Sequence, residues 1–180
     1  MSAYRDEIRN AIRTIPNWPT EGVMFRDIMP LLQDSNIFHK LIESFVTHYQ
    51  HMNLDAIAAI DARGFLIGAP LAYELELSLV PVRKKGKLPY KTLTQSYNLE
   101  YGEAAIELHE DAFPAGSRVV VVDDLIATGG TMLAACELIK RMDCEVVEVA
   151  SIIDLPALKG SQKLREAGFD IYSICEFEGL

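Results

Sequence analysis

What this chain lacks bounds it first. It has no apolar stretch approaching the roughly 18–20 residues needed to span a bilayer, and no positively charged start leading into an apolar run. We therefore expect neither a membrane anchor nor an export leader. Cysteine is scarce: Cys136, Cys144 and Cys175 are odd in number and lack metal-ligand spacing. That speaks against a disulfide framework or a zinc site, and it predicts reduced thiols in a cytosolic protein, with Cys136 packed in a helix. Positive charge is also short, with 17 Lys and Arg against 26 Asp and Glu and a formal net charge of −9. An acidic body is a poor partner for nucleic acid or an anionic membrane. Repeats, linkers and low-complexity tracts are absent as well, so residues 1–180 are expected to form one domain with a sizeable core.

Because cations are few, their one dense cluster stands out: Arg83-Lys84-Lys85-Gly86-Lys87-Leu88-Pro89-Tyr90-Lys91. It directly follows a short apolar run at Leu79, Val80 and Val82, which reads as a strand. A basic loop at a strand end suits an anion-gripping lid better than a nuclear address. Beyond it, alternation at Tyr97, Leu99 and Tyr101, then at Ala104, Ile106 and Leu108, predicts a β-hairpin closing at Gly102.

The stretch Arg118 to Thr131 reads R-V-V-V-V-D-D-L-I-A-T-G-G-T. An unbroken valine run predicts a strand buried on both faces, as in parallel sheets. Asp123 and Asp124 stand at its carboxyl end, followed by the loop Ala127-Thr128-Gly129-Gly130-Thr131 and a helix-periodic segment. Backbone N–H groups, two threonine hydroxyls and a helix amino terminus can converge on one phosphate, and the glycines let the backbone come close. The two aspartates would repel that phosphate. They must serve another part of the same ligand, either sugar hydroxyls or a bound Mg²⁺. A second strand, Ala56 to Ile60, leads into Asp61-Ala62-Arg63-Gly64 and another helix, with Pro70 awkward inside it.

Elsewhere the pattern predicts an amphipathic helix over residues 3–15 ended by Pro16, and an irregular loop over 16–27 that carries Trp18, Val23, Met24 and Phe25. Those apolar side chains call for cover by the body or by a ligand. A helix over 35–52 is expected, capped by Asp34 or Ser35, with His39, His48 and His51 at its surface or end. Strands over 146–153 and 169–175 flank a short helix over 158–167. Strands alternating with helices give an α/β fold with a mostly parallel sheet, whose ligands bind beyond the strands' carboxyl ends.

The segment from Val119 to Thr131 resembles the phosphoribosyl pyrophosphate signature of the type I phosphoribosyltransferases. Over nearly its whole length the chain is similar to the adenine-specific branch of that family, through Pro19 to Asp27, Asp61 to Phe65, Arg83 to Pro89 and Ser96 to Gly102. Ala62, Tyr90 and Met24 depart from the branch's commonest residues.

The resemblance implies the type I phosphoribosyltransferase fold, with a hood over residues 1–34 and a mobile hairpin lid over 83–102. It implies transfer of phosphoribose from phosphoribosyl pyrophosphate to adenine, giving AMP and pyrophosphate with Mg²⁺ carried on the substrate. It also implies a homodimer whose lid reaches the neighbouring subunit. Ala127, Thr128, Gly129, Gly130 and Thr131 would hold the 5-phosphate, and Asp123 and Asp124 the ribose hydroxyls. Arg63, Arg83, Lys84 and Lys87 would hold the pyrophosphate. Phe25 and Leu155 would sandwich the base, while backbone groups of Met24 and Arg26 read its edge. Glu100 would be the acid–base residue, with Tyr101 beside it. Two other readings stay open at this point: a non-catalytic regulator that binds phosphoribosyl pyrophosphate, and a transferase for xanthine or hypoxanthine.

Overall fold

A computed structural model of the chain describes residues 2–99 and 102–179. Its larger sheet has seven strands: β3 (Ala56–Ile60), β4 (Ser78–Lys84), β5 (Thr92–Leu99), β6 (Gly102–His109), β7 (Arg118–Ile126), β8 (Glu145–Asp154) and β9 (Ile171–Glu176). The spatial order is β5-β6-β4-β3-β7-β8-β9. Strands β4, β3, β7, β8 and β9 run parallel, while the β5–β6 hairpin is antiparallel and joins β4 through Arg83↔Glu107 and Lys84↔Ile106. The expectation of a mostly parallel sheet holds, and the basic cluster begins inside β4 rather than after it.

Both faces of β3 and β7 are covered, which is why their sequences show no polar alternation. Val119 and Val121 face one apolar cluster, with Cys136, Leu138 and Ile139 of helix α5 (Gly130–Lys140). Val120 and Val122 face the other, with Ile67 and Leu71 of helix α4 (Arg63–Glu74) and Phe45 and Leu41 of helix α3 (Ser35–Tyr49). All four valines are fully buried. At about 25 cal/mol per Å² of apolar surface removed from water, such two-sided burial is the main stabilising term for the strand that carries the acidic couple. Helix α6 (Gly160–Glu166) follows a 3₁₀ turn at Pro156–Leu158 after β8.

The amino-terminal region differs from the sequence expectation. Helix α1 (Ser2–Ala11) stops short of Pro16. Residues Arg13–Pro16 form β1, which pairs antiparallel with β2 (Met24–Asp27), so the expected irregular loop contains a strand. Cross-strand pairing outweighs helix continuation here: Arg13 pairs with Asp27, which also accepts the Met29 N–H, and Trp18 meets Phe25 edge-on with centroids 4.4 Å apart. A short helix α2 (Met29–Gln33) follows, with Pro30 in a first turn that tolerates it.

Helix α3 is capped by Asp34, whose carboxylate accepts from the N–H groups of Asn36 and Ile37, as expected. Helix α4 runs through Pro70 without ending. Cys136, Cys144 and Cys175 are free and buried. No helix among the described residues is long and apolar enough to cross a membrane.

Candidate functional site

The carboxyl ends of β3, β7 and β8 converge on one side of the sheet. The loop after β7 lines a small cavity of about 90 Å³, formed by Asp123, Leu125 and residues 126–132. Gly129, at φ 73°, is the left-handed residue that opens helix α5. That conformation costs an L residue with a side chain roughly 1–2 kcal/mol and costs glycine little. A Cβ there would also meet the Gly160 carbonyl oxygen at 2.8 Å. The turn thus leaves the amino end of α5 open, with its unpaired N–H groups at the cavity, an arrangement suited to a phosphate. A second cavity, of about 610 Å³, lies between α1, α3 and β9. It holds none of the nominated residues and no comparable array of backbone donors. The smaller cavity is therefore the candidate ligand site.

Asp123 and Asp124 lie within β7 rather than beyond it. The Asp124 N–H donates to Asp123 Oδ1 at 2.8 Å. Burial, and then the neighbouring Asp124 charge, holds the Asp123 carboxyl well above the usual range. Burial raises Asp124 too, while the Arg63 guanidinium pulls it back. Asp124 is 2% exposed, and Arg63 Nε stands 3.0 Å from its Oδ2. That contact is an ion pair without hydrogen-bond alignment, since Oδ2 has no hydrogen-bond partner among the described residues. A buried carboxylate oxygen left without a hydrogen bond is poised to accept one from a ligand hydroxyl.

The first turn of α4, separated from β3 by two residues, brings Arg63 to this couple. Its Gly64 sits against β7, where a Cβ would fall 2.7 Å from the Val122 carbonyl oxygen. The Arg63 guanidinium also lies over the Phe25 ring, 5.4 Å from its centroid. One cation therefore joins the acid couple to the amino-terminal hairpin. Phe25 is half-buried, while Trp18, Val23 and Met24 remain exposed. The cover expected over these loop residues is not supplied by the chain itself. Arg26 turns away from the site: it is buried, donates to Thr14 Oγ1 and lies over Phe177. Only its backbone remains available to a ligand edge. Leu155 is buried at the end of β8, with its N–H bonded to the Ile126 carbonyl.

Arg83 Nε donates to Asp61 Oδ2 at 3.1 Å. Lys84 and Lys87 are exposed at the base of the hairpin and form no ion pair among the described residues. Glu100 and Tyr101 lie outside the described residues.

Sequence reasoning missed Glu107. It is buried, and its Oε1 accepts from the N–H groups of Lys87 and Leu88. The available signal was an acid set between Ile106 and Leu108, in a strand that follows a basic turn. His48, expected at the surface or helix end, lies in the last turn of α3, where it stacks on Tyr172 at 3.7 Å and meets Glu148 at 2.7 Å.

Residues 31–172 match the family model described as the phosphoribosyl transferase domain. The adenine phosphoribosyltransferase of Chromohalobacter salexigens is 63% identical over 98% of each chain. That of Marinobacter nauticus is 60% identical over 99% of each. Among solved structures, adenine phosphoribosyltransferase from Thermoanaerobacter pseudethanolicus superposes with a TM-score of 0.92 at 46% identity, over 96% of this chain and 99% of that one. The Saccharomyces cerevisiae enzyme, solved with an imino-altritol bisphosphate and adenine, gives 0.93 at 37% identity, over 97% and 100%. The signature strand, the phosphate-shaped turn and likeness over almost the full length agree: the chain belongs to the adenine phosphoribosyltransferases of the phosphoribosyl transferase family.

Proposed function

We propose that this chain transfers the phosphoribosyl group of 5-phosphoribosyl 1-pyrophosphate to adenine, giving AMP and pyrophosphate in purine salvage. The observation that carries the reading is Arg63, whose guanidinium contacts both Asp124 and the Phe25 ring. A sugar clasped by the acid couple and a base stacked on Phe25 would then meet beside one cation. The loop over residues 127–131 receives the 5-phosphate, and Asp123 and Asp124 take ribose hydroxyls. Phe25 and Leu155 hold the base through their side chains, and Met24 and Arg26 through their backbone.

The chemistry suits these residue types. Departing pyrophosphate is polyanionic, and Arg63, Arg83, Lys84 and Lys87 offer it charge. The sugar develops oxocarbenium character, which nearby carboxylates stabilise and which water must not reach. Among the described residues no group of three or more His, Cys, Asp or Glu side chains could cage a metal. A pair of carboxylates beside an anion cradle fits a metal that arrives on the diphosphate. Mg²⁺ would neutralise the leaving group when bound with the donor.

We read residues 83–102 as a closing lid, residues 1–34 as a hood, and Glu100 as the acid–base residue with Tyr101 beside it. Leu66, Tyr73 and Leu79 are large and exposed on α4 and β4. They suit a homodimer face that would put the lid beside the neighbouring subunit. Three unpaired, buried thiols suit the cytosol.

A base panel of adenine, hypoxanthine, guanine and orotate with Mg²⁺, read by pyrophosphate release, tests the assignment. Turnover confined to adenine is expected. Turnover of hypoxanthine or guanine without adenine would refute the base, and donor binding without any turnover would favour a regulator.

A further inference from the structure

The segment that follows β8 is fastened to the end of β7 at two successive residues. The Leu155 N–H donates to the Ile126 carbonyl at 3.0 Å, and the Gly160 N–H donates to the Ala127 carbonyl at 3.1 Å. Residues 155–160 therefore form a bridge that starts at a proposed base contact and ends on the phosphate loop. At its far end the two backbones touch. A Cβ on Gly160 would fall on the Ala127 carbonyl oxygen, and within 2.6 Å of Gly129 N and 2.8 Å of Thr128 C. A Cβ on Gly129 would meet the Gly160 carbonyl oxygen at 2.8 Å and its Cα at 3.0 Å. All these neighbours are backbone, which cannot rotate away. Lys159 presents Gly160 to the loop from a left-handed conformation, at φ 59° and ψ 13°. A residue with a side chain held there marks a turn that its surroundings enforce.

The structure assigns Gly160 as a positioning residue of the reaction: it is the backbone wedge that fixes the phosphate loop 127–131 in its anion-binding shape and ties that loop to the base-side segment at Leu155. The inference rests on the 5-phosphate site proposed above. The physical reason is packing without slack. The loop offers its N–H groups to a phosphate only while Thr128 and Gly129 keep their present path, and Gly160 fills the space behind them. A methyl group inserted at Gly160 must push Ala127 and Gly129 toward the cavity. The 5-phosphate is untouched by the reaction, so its contacts are the same in ground and transition states. Loss of those contacts raises KM for the donor and spares kcat.

The test is ribose 5-phosphate binding by calorimetry on the full chain, beside steady-state kinetics and thermal unfolding. Gly160→Ala should bind ribose 5-phosphate at least about tenfold more weakly, with KM for the donor raised by a similar factor and kcat within about threefold. A folded Gly160→Ala protein with wild-type affinity would overturn the inference. Should that variant fail to fold, Lys159→Val and Lys159→Asn decide the matter. Both lose the same charge, but the β-branched residue is excluded from the left-handed turn that asparagine tolerates. Lys159→Val binding at least about fivefold more weakly than Lys159→Asn supports the wedge, and equal affinities overturn it. A wild-type chain that bound no ribose 5-phosphate would instead bring down the phosphate-site reading itself, whatever base it used.

Discussion

Arg63 Nε stands 3.0 Å from Asp124 Oδ2, so a cation nominated for pyrophosphate is spent on an acid nominated for ribose. The second nominated arginine behaves alike, since Arg83 donates to Asp61 at 3.1 Å. The site thus neutralises its own charge before the donor arrives, and the donor must take both arginines over. Arg63→Met should raise KM for phosphoribosyl pyrophosphate by about ten- to a hundredfold. It should also cost about 1–2 kcal/mol in urea unfolding, less than a fully buried pair, because Arg63 is more than a third exposed. Adding Asp124→Asn to it should recover that stability and none of the activity, as a double-mutant cycle would reveal.

Asp123 yields the opposite stability effect. Its folded carboxyl is held well above the usual range, by burial first and by the Asp124 charge second. The folded chain therefore binds a proton that the unfolded chain has released, and stability falls as pH rises from the ordinary carboxylate range through the raised value. Asp123→Asn removes this cost and can still accept the Asp124 N–H. Its melting temperature at neutral pH should exceed wild type by about 2–5 °C, while donor binding weakens. A wild-type acid limb in kcat/KM, displaced above the ordinary carboxylate range, should disappear in the variant.

The parts legible in the sequence are those where one local pattern decides. Val119 to Val122 announce a strand buried on both faces, and Asp34 announces the start of α3. The phosphate turn is readable because Gly129 and Gly130 have few other uses beside threonines. The hairpin at Arg13–Pro16 and Met24–Asp27 was not legible, because Ile8, Ile12 and Ile15 continue a helical period that only cross-strand pairing interrupts. Nor could spacing reveal that Arg63 reaches Phe25 or that Glu107 holds the turn after β4. These contacts join residues that share no element, and they exist only once the sheet order is set.

Glu107 anchors the turn that follows β4. Burial pushes its carboxyl up, but the N–H groups of Leu88, Gly86 and Lys87 draw it further down, so it lies below the ordinary value. Its contribution is then present above the ordinary carboxylate range and lost as pH falls through the lowered value. Glu107→Ala should cost about 1–3 kcal/mol by deleting the charged acceptor that the N–H groups of Lys87 and Leu88 share. Glu107→Gln keeps an acceptor and should recover most of it. The gap between wild type and Glu107→Gln in urea unfolding should close toward low pH.

Glu100 stands in this reading as the acid–base residue beside the purine. Glu100→Ala should lower kcat by about a hundredfold or more while adenine affinity changes little. Unchanged turnover in single-turnover assays would remove the residue from the chemistry.

In the proposed site, Phe25 separates base recognition from donor recognition. Its ring meets Trp18 on one side at 4.4 Å between centroids and the Arg63 guanidinium at 5.4 Å. Phe25→Ala deletes the stacking surface, and aromatic contacts contribute about 0.5–1.5 kcal/mol beyond the area they bury, so KM for adenine should rise about tenfold or more. Arg63 also loses the ring it lies over, yet keeps Asp124. KM for the donor should therefore rise less than that for adenine, by about threefold or under. Phe25→Tyr preserves the ring and should restore both constants. Equal rises for the two substrates in Phe25→Ala would mean that Phe25 acts through Arg63 instead of through the base, and the hairpin would then belong to the donor's side of the site.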